Sequence, residues 1–119
     1  MIAVIDDDPV IHAILQSILS SRNHTVHCYS DAQDITTICQ NTAAQAIFCD
    51  INLGSESGFQ VLMAAKKVSP MLPFILMSAE HDSSQGEQFP LQPDAFLAKP
   101  FTVDQIINLL STLGITEEG

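Results

Sequence analysis

The chain has 119 residues, 14 acidic and 4 basic side chains, and a formal net charge of −10. That length suits one domain, 1–119, and 46% hydrophobic residues supply a core, which argues against wholesale disorder. With only Arg22, Lys66, Lys67 and Lys99 positive, no basic stripe exists for nucleic acid or an anionic membrane to bind.

Ile2–Ile5 is an apolar run read as the first strand, and the acidic run Asp6, Asp7, Asp8 follows it. Ile11, Ile14, Leu15, Ile18 and Leu19 then fall on one face of a helix, with Asp8 as its N-cap and Pro9 in its first turn. Thr25–Cys28 reads as the second strand. Ser30 and Gln33 form a capping-box pair ahead of a second helix carrying Ile35, Ile38 and Cys39. Ala46–Cys49 is the third strand, ending at Asp50, and Phe59, Leu62 and Met63 mark a third helix after the loop glycine Gly58. Phe74–Met77 is the fourth strand. The stretch Glu80 to Pro93 is rich in Ser, Gln, Gly and Pro, with Gly86 mid-segment and Pro90 and Pro93 where a helix would finish. It predicts a short or irregular fourth helix, confined to Asp82–Gln88. Ala95–Ala98 is the fifth strand. The last helix opens on the capping-box pair Thr102 and Gln105, buries Ile106, Leu109, Leu110 and Leu113, and stops at Gly114. Thr116 to Gly119 reads as a frayed tail.

Alternating strands and helices imply right-handed crossovers and a parallel sheet, and the continuous apolar runs of strands 1, 3 and 4 suit burial on both faces. The fold class is α/β, doubly wound. Three cysteines, Cys28, Cys39 and Cys49, make an odd count without metal-type spacing, so a reducing cytoplasm is expected. No basic, apolar leader opens the chain, and no run approaches the roughly 18 apolar residues that span a membrane.

Ligands of open parallel sheets bind beyond the carboxyl ends of the strands. That edge carries Asp6, Asp7 and Asp8 after strand 1, Asp50 after strand 3, Ser78 and Ala79 after strand 4, and Lys99 and Pro100 after strand 5. Carboxylates that close repel one another unless a cation joins them, and a hard divalent ion, Mg²⁺, fits oxygen ligands. A lysine opposite such an ion suits a transferring phosphoryl group, with a carboxylate available as nucleophile.

The segments IAVIDDDPVIHAIL, FCDINLGSESGFQVL, FILMSAE and FLAKPF, in that order, resemble the signature blocks of response-regulator receiver domains. The resemblance covers essentially the whole chain and implies a flavodoxin-like sheet of order 2-1-3-4-5. It implies Asp50 as phosphoacceptor, taking the group from a histidine kinase or histidine phosphotransfer protein. Asp7 would ligate Mg²⁺ directly and Asp6 through water, with Asp50 and the Asn52 backbone carbonyl completing the metal set. Ser78 and the Ala79 N–H would bind the phosphoryl group and Lys99 would neutralise it. Phe96, with Ser78, would form the switch, and the Lys99–Pro100 bond would be cis. The family often has proline four residues after the acceptor, where Gly54 stands, which predicts a more mobile loop. Gly58 is in its expected place. No output domain lies within the chain, so the downstream partner is unspecified, and no enzymatic activity is implied beyond the domain's own phosphorylation and dephosphorylation.

Other polar residues read as ordinary surface. His24 and His27 sit at an odd offset that points them to opposite faces of a strand, so both read as surface or edge groups. His12 lies off the apolar stripe and reads as exposed, as do Glu80 and His81. Lys66 and Lys67 read as the solvated end of the third helix. Two other functions compete. A pseudo-receiver would lack an acceptor, acidic pair or lysine, and all are present. A Mg²⁺-dependent aspartyl phosphatase wants a second Asp where Asn52 stands.

Overall fold

Along the chain run β1 (Ile2–Ile5), α1 (Pro9–Ser21), β2 (Val26–Tyr29), α2 (Ile35–Gln40), β3 (Ala46–Asp50), α3 (Gly58–Val68), β4 (Phe74–Ser78), β5 (Ala95–Ala98) and α4 (Val103–Thr112). The computed structural model describes residues 1–79 and 90–118. The short helix expected at Asp82–Gln88, and the readings of Glu80 and His81, lie outside the described residues. All four strand pairings are parallel and the order is β2-β1-β3-β4-β5, as expected.

Alternation along each strand feeds two cores. Ala3, Ile5, Ile47, Cys49, Phe74 and Leu76 point to the face covered by α2 and α3, where Ile38, Phe59 and Leu62 meet them. Ile2, Val4, Phe48, Ile75 and Met77 point to the face covered by α1 and α4, against Leu15, Leu19, Ile106 and Leu110. Ile14 departs from its predicted place and is 40% exposed. It lies about 100° around the helix from Leu15, at the edge of the stripe rather than its centre.

Helix termini follow local chemistry. Asp8 accepts from the Val10 N–H at 2.9 Å and caps α1. Thr102 and Gln105 close the predicted capping box of α4, and Ser57 with Gln60 closes a second one on α3 that the sequence reading missed. The box predicted at Ser30 is overturned. α2 starts at Ile35, and the Gln33 N–H is taken by Asp31 Oδ1 at 3.0 Å. Lys99–Pro100 is cis as expected.

Three surface readings are corrected. His24 is buried, its Nδ1 3.0 Å from Gln45 Oε1. Lys66 is not a solvated end: its ammonium donates to the Leu72 carbonyl and to Asp94, each at 2.9 Å, and Asp94 also accepts from the Phe74 N–H. The tail is pinned rather than frayed through Glu118. Gln45 donates to the Thr116 carbonyl at 2.8 Å, and Glu118 accepts from the Thr25 N–H at 2.7 Å and from the Met1 ammonium. Those contacts, the Met1 ammonium first, pull the Glu118 carboxyl down to about 2. No periodicity in sequence announces such a strap, because its bonds run from side chains to distant strand ends.

Gly58 sets how closely α3 approaches the end of β3. A Cβ there would lie 2.5 Å from the Asp50 carbonyl oxygen, 2.8 Å from Leu76 Cδ2 and 2.9 Å from Ile51 Cα. Two of those obstacles are backbone, so they cannot rotate away. Gly58→Ala should therefore destabilise the fold by about 2–3 kcal/mol, read as a lower urea midpoint at unchanged slope. Wild-type stability in that variant would show that α3 can shift freely from the sheet.

Candidate functional site

The carboxyl ends of β1, β3 and β5 converge on an open cleft of about 400 Å³, lined by Asp6, Asp7, Asp8, Asp50, Asn52, Gly54, Ala79 and Lys99. The parallel register brings Asp6 and Asp50 together, since Ile5 pairs with Cys49 and each acid is the next residue along its chain. Asp6 is fully buried, Asp50 is 8% exposed and Asp7 is exposed.

Lys99 binds the buried pair together. Its Nζ donates to Asp6 Oδ2 at 2.8 Å and stands 3.4 Å from Asp50 Oδ1. Asp6 Oδ1 accepts the Asp8 N–H at 2.9 Å, so both its oxygens are held. Burial alone would lower the Lys99 ammonium, but the Asp6 hydrogen bond and the charges of Asp50 and Asp6 outweigh it and hold it above its ordinary value. Asp50 is pushed up, first by burial and then by Asp6, against the opposing pull of Lys99 and the Asn52 N–H. The neighbouring Cys49 thiol is raised well above the usual thiol range, chiefly by burial and then by Asp50.

One ammonium does not balance three carboxylates. Asp6, Asp7 and Asp50 each offer an oxygen within 4.8 Å of the others, a donor set of hard anionic ligands that fits Mg²⁺. The predicted acids and lysine are therefore brought together. Ala79 and Asn52 also line the cleft, and Asn52 Oδ1 accepts the Gly54 N–H at 3.1 Å. Gly54 has φ +83°, a backbone that proline cannot adopt, so the loop after Asp50 takes a path that a proline at this position would not allow.

Ser78 and Phe96 are placed differently. Ser78 is buried and does not line the cleft; strand alternation puts it on the face of Phe74 and Leu76. Its carbonyl accepts the Lys99 N–H at 2.7 Å, so its backbone adjoins the site. Phe96 is 42% exposed, unusual for a strand aromatic, with its ring 6.2 Å from that of Phe59. His12, read as exposed, is half-buried behind the acidic turn. Its Nε2 lies 3.2 Å from the Tyr29 carbonyl oxygen. Its position one helical turn after the Asp8 cap was the available signal.

Residues 2–111 match the response regulator receiver domain family. Among curated relatives, the uncharacterized transcriptional regulatory protein YbdJ of Bacillus subtilis is 26% identical over 89% of this chain and 47% of its own length. The DNA-binding transcriptional regulator NtrC of Salmonella typhimurium is 28% identical over 90% of this chain and 23% of its own. The chain thus spans half or less of these two relatives. The crystal structure of the receiver domain of NtrX from Brucella abortus superposes with a TM-score of 0.84 at 26% identity, covering 95% of this chain and 97% of that one. Sheet order, the acid–lysine cleft and the match over nearly all of its length agree: the chain belongs to the response regulator receiver domains of two-component signalling.

Proposed function

We propose that residues 1–119 form one phosphoacceptor domain, in which Asp50 takes a phosphoryl group from the phosphohistidine of a histidine kinase or histidine phosphotransfer protein. An Asp50 carboxylate oxygen attacks phosphorus, the P–N bond breaks, and the imidazole leaves with a proton. The observation that carries this reading is Asp50 itself: nearly buried at the end of the central strand, beside Lys99, yet lining an open cleft.

Lys99 neutralises a phosphoryl oxygen from the Asp50 side, and Ala79 lies on the cleft wall, from which its N–H donates to another. Asp6, Asp7, Asp50 and the Asn52 carbonyl would hold Mg²⁺, the more buried Asp6 through water. Bound there, Mg²⁺ supplies the positive charge that lets an anionic carboxylate meet an anionic phosphoryl group. Ser78 has to turn its hydroxyl toward the cleft to reach the product, and Phe96, exposed in this state, moves inward to follow it. That rearrangement passes the signal to a downstream output domain or protein. Localisation is cytoplasmic in this reading; among the described residues no helix is long and apolar enough to cross a membrane.

Incubating the chain with an acyl phosphate donor and Mg²⁺ should add one hydroxylamine-labile phosphoryl group per molecule, seen by intact mass. Chelating the metal with EDTA should stop the incorporation. No incorporation with Mg²⁺ present would overturn the reading and favour a phosphorylation-independent interaction module.

A further inference from the structure

The turn Asp6–Asp8 carries the carboxylates that open the site, and a closed ring of hydrogen bonds surrounds it. The Asp6 N–H donates to the Tyr29 carbonyl at the end of β2 at 3.0 Å, and the His12 N–H donates to the Asp8 carbonyl at 3.3 Å. The His12 side chain completes the ring, its Nε2 reaching the same Tyr29 oxygen at 3.2 Å. A carbonyl oxygen only accepts and has two lone pairs, so it can serve both donors, and Nε2 must carry the hydrogen.

Resting on the metal-binding reading above, we propose that His12 is a positioning residue: its Nε2–H ties the first turn of α1 to the end of β2 and so fixes the acidic turn for Mg²⁺. Neither end of that turn is then free to move. Asp6 is anchored to β2 by its backbone and to Lys99 by its carboxylate. Asp8 is anchored to α1, and among the described residues the His12 ring carries the hydrogen bond from α1 to the end of β2. Asp7, between them, is exposed and takes its direction from its two neighbours. Groups behind metal ligands orient them in this way, and their loss weakens metal binding without removing a ligand.

The chemistry of amide side chains gives a sharp test. Glutamine places an N–H donor the same number of bonds from Cβ as His Nε2, whereas asparagine places it one bond short. Mg²⁺ binding is followed through the Asp7 and Asp8 amide shifts in NMR titrations of the full chain. His12→Ala and His12→Asn should raise the dissociation constant about three- to tenfold. His12→Gln should return it to within about twofold of wild type, and thermal midpoints should stay level across the series. In metal-free protein, His12→Ala and His12→Asn should speed hydrogen exchange of the Asp8 N–H, which donates to Asp6 Oδ1, and His12→Gln should not.

Wild-type Mg²⁺ affinity in His12→Ala, or a His12→Gln variant as weak as His12→Asn, would overturn the proposal. If wild type shows no saturable Mg²⁺ response, the metal reading fails. The metal-free exchange rates then decide whether His12 holds the turn: unchanged Asp8 exchange in His12→Ala overturns that as well.

Discussion

Asp50→Asn should abolish phosphoryl incorporation and, in the absence of divalent cations, stabilise the fold. The first effect follows from losing the nucleophilic carboxylate, for which no other cleft acid has an equivalent place: Asp6 is fully buried and held by Lys99. The second follows from the raised Asp50 carboxyl, for which burial is the leading cause and Asp6 the next unfavourable one. A carboxyl raised on folding binds its proton more tightly in the native state, so its ionised form costs stability at neutral pH. That cost fades as pH falls through the raised value and is gone below the ordinary aspartate value of 3.8. The variant should therefore exceed wild type by about 0.5–1 kcal/mol in urea unfolding at pH 7, with the gap closing as the solution is acidified. A variant less stable at pH 7 would mean that the 3.4 Å contact with Lys99 outweighs burial.

Lys99→Met should act in the opposite direction on stability and in the same direction on chemistry. Methionine keeps much of the apolar stem but removes the ammonium, leaving Asp6 fully buried without its cation. Breaking such a pair from one side costs about 2–3 kcal/mol here, somewhat below the full figure for an interior pair because Lys99 is 21% exposed. Phosphoryl incorporation should slow about 10²–10³-fold, the usual cost of deleting one preorganised electrostatic partner. Combining Lys99→Met with Asp6→Asn should recover part of the stability, because the orphaned charge goes with its partner. A double variant as unstable as the sum of the singles would show that the two side chains act independently.

Much of this was legible in the residues. Among the described residues, apolar runs and their spacing located the five strands and four helices to within a few residues, and Asp50, Asp6, Asp7 and Lys99 stood out because strand ends must share an edge. What escaped depends on contacts that local pattern does not encode. The Ser30 box failed because Asp31, one residue on, takes the Gln33 amide. His24 and Lys66 looked like surface groups, but Gln45 and Asp94, distant in sequence, provide their partners. For Ser78 a place at the end of a strand fixes only the backbone, whereas parity along the strand, which the apolar run alone does not assign to a core, decides which face the side chain takes.

That parity has a further consequence for how the site is protected against error. Asp6 and Asp50 continue the even-numbered set Ile2, Val4, Ala46 and Phe48, whereas Cys49 and Ile5 belong to the opposite core. Sliding β3 by one residue against β1 would bring Cys49 or Ile51 to the mouth of the cleft and bury a carboxylate among hydrophobes. Such a slip spoils two cores at once, so a misregistered chain loses packing on both faces of the sheet together. The apolar sandwich thus ties the placement of the two buried acids to the stability of the whole sheet.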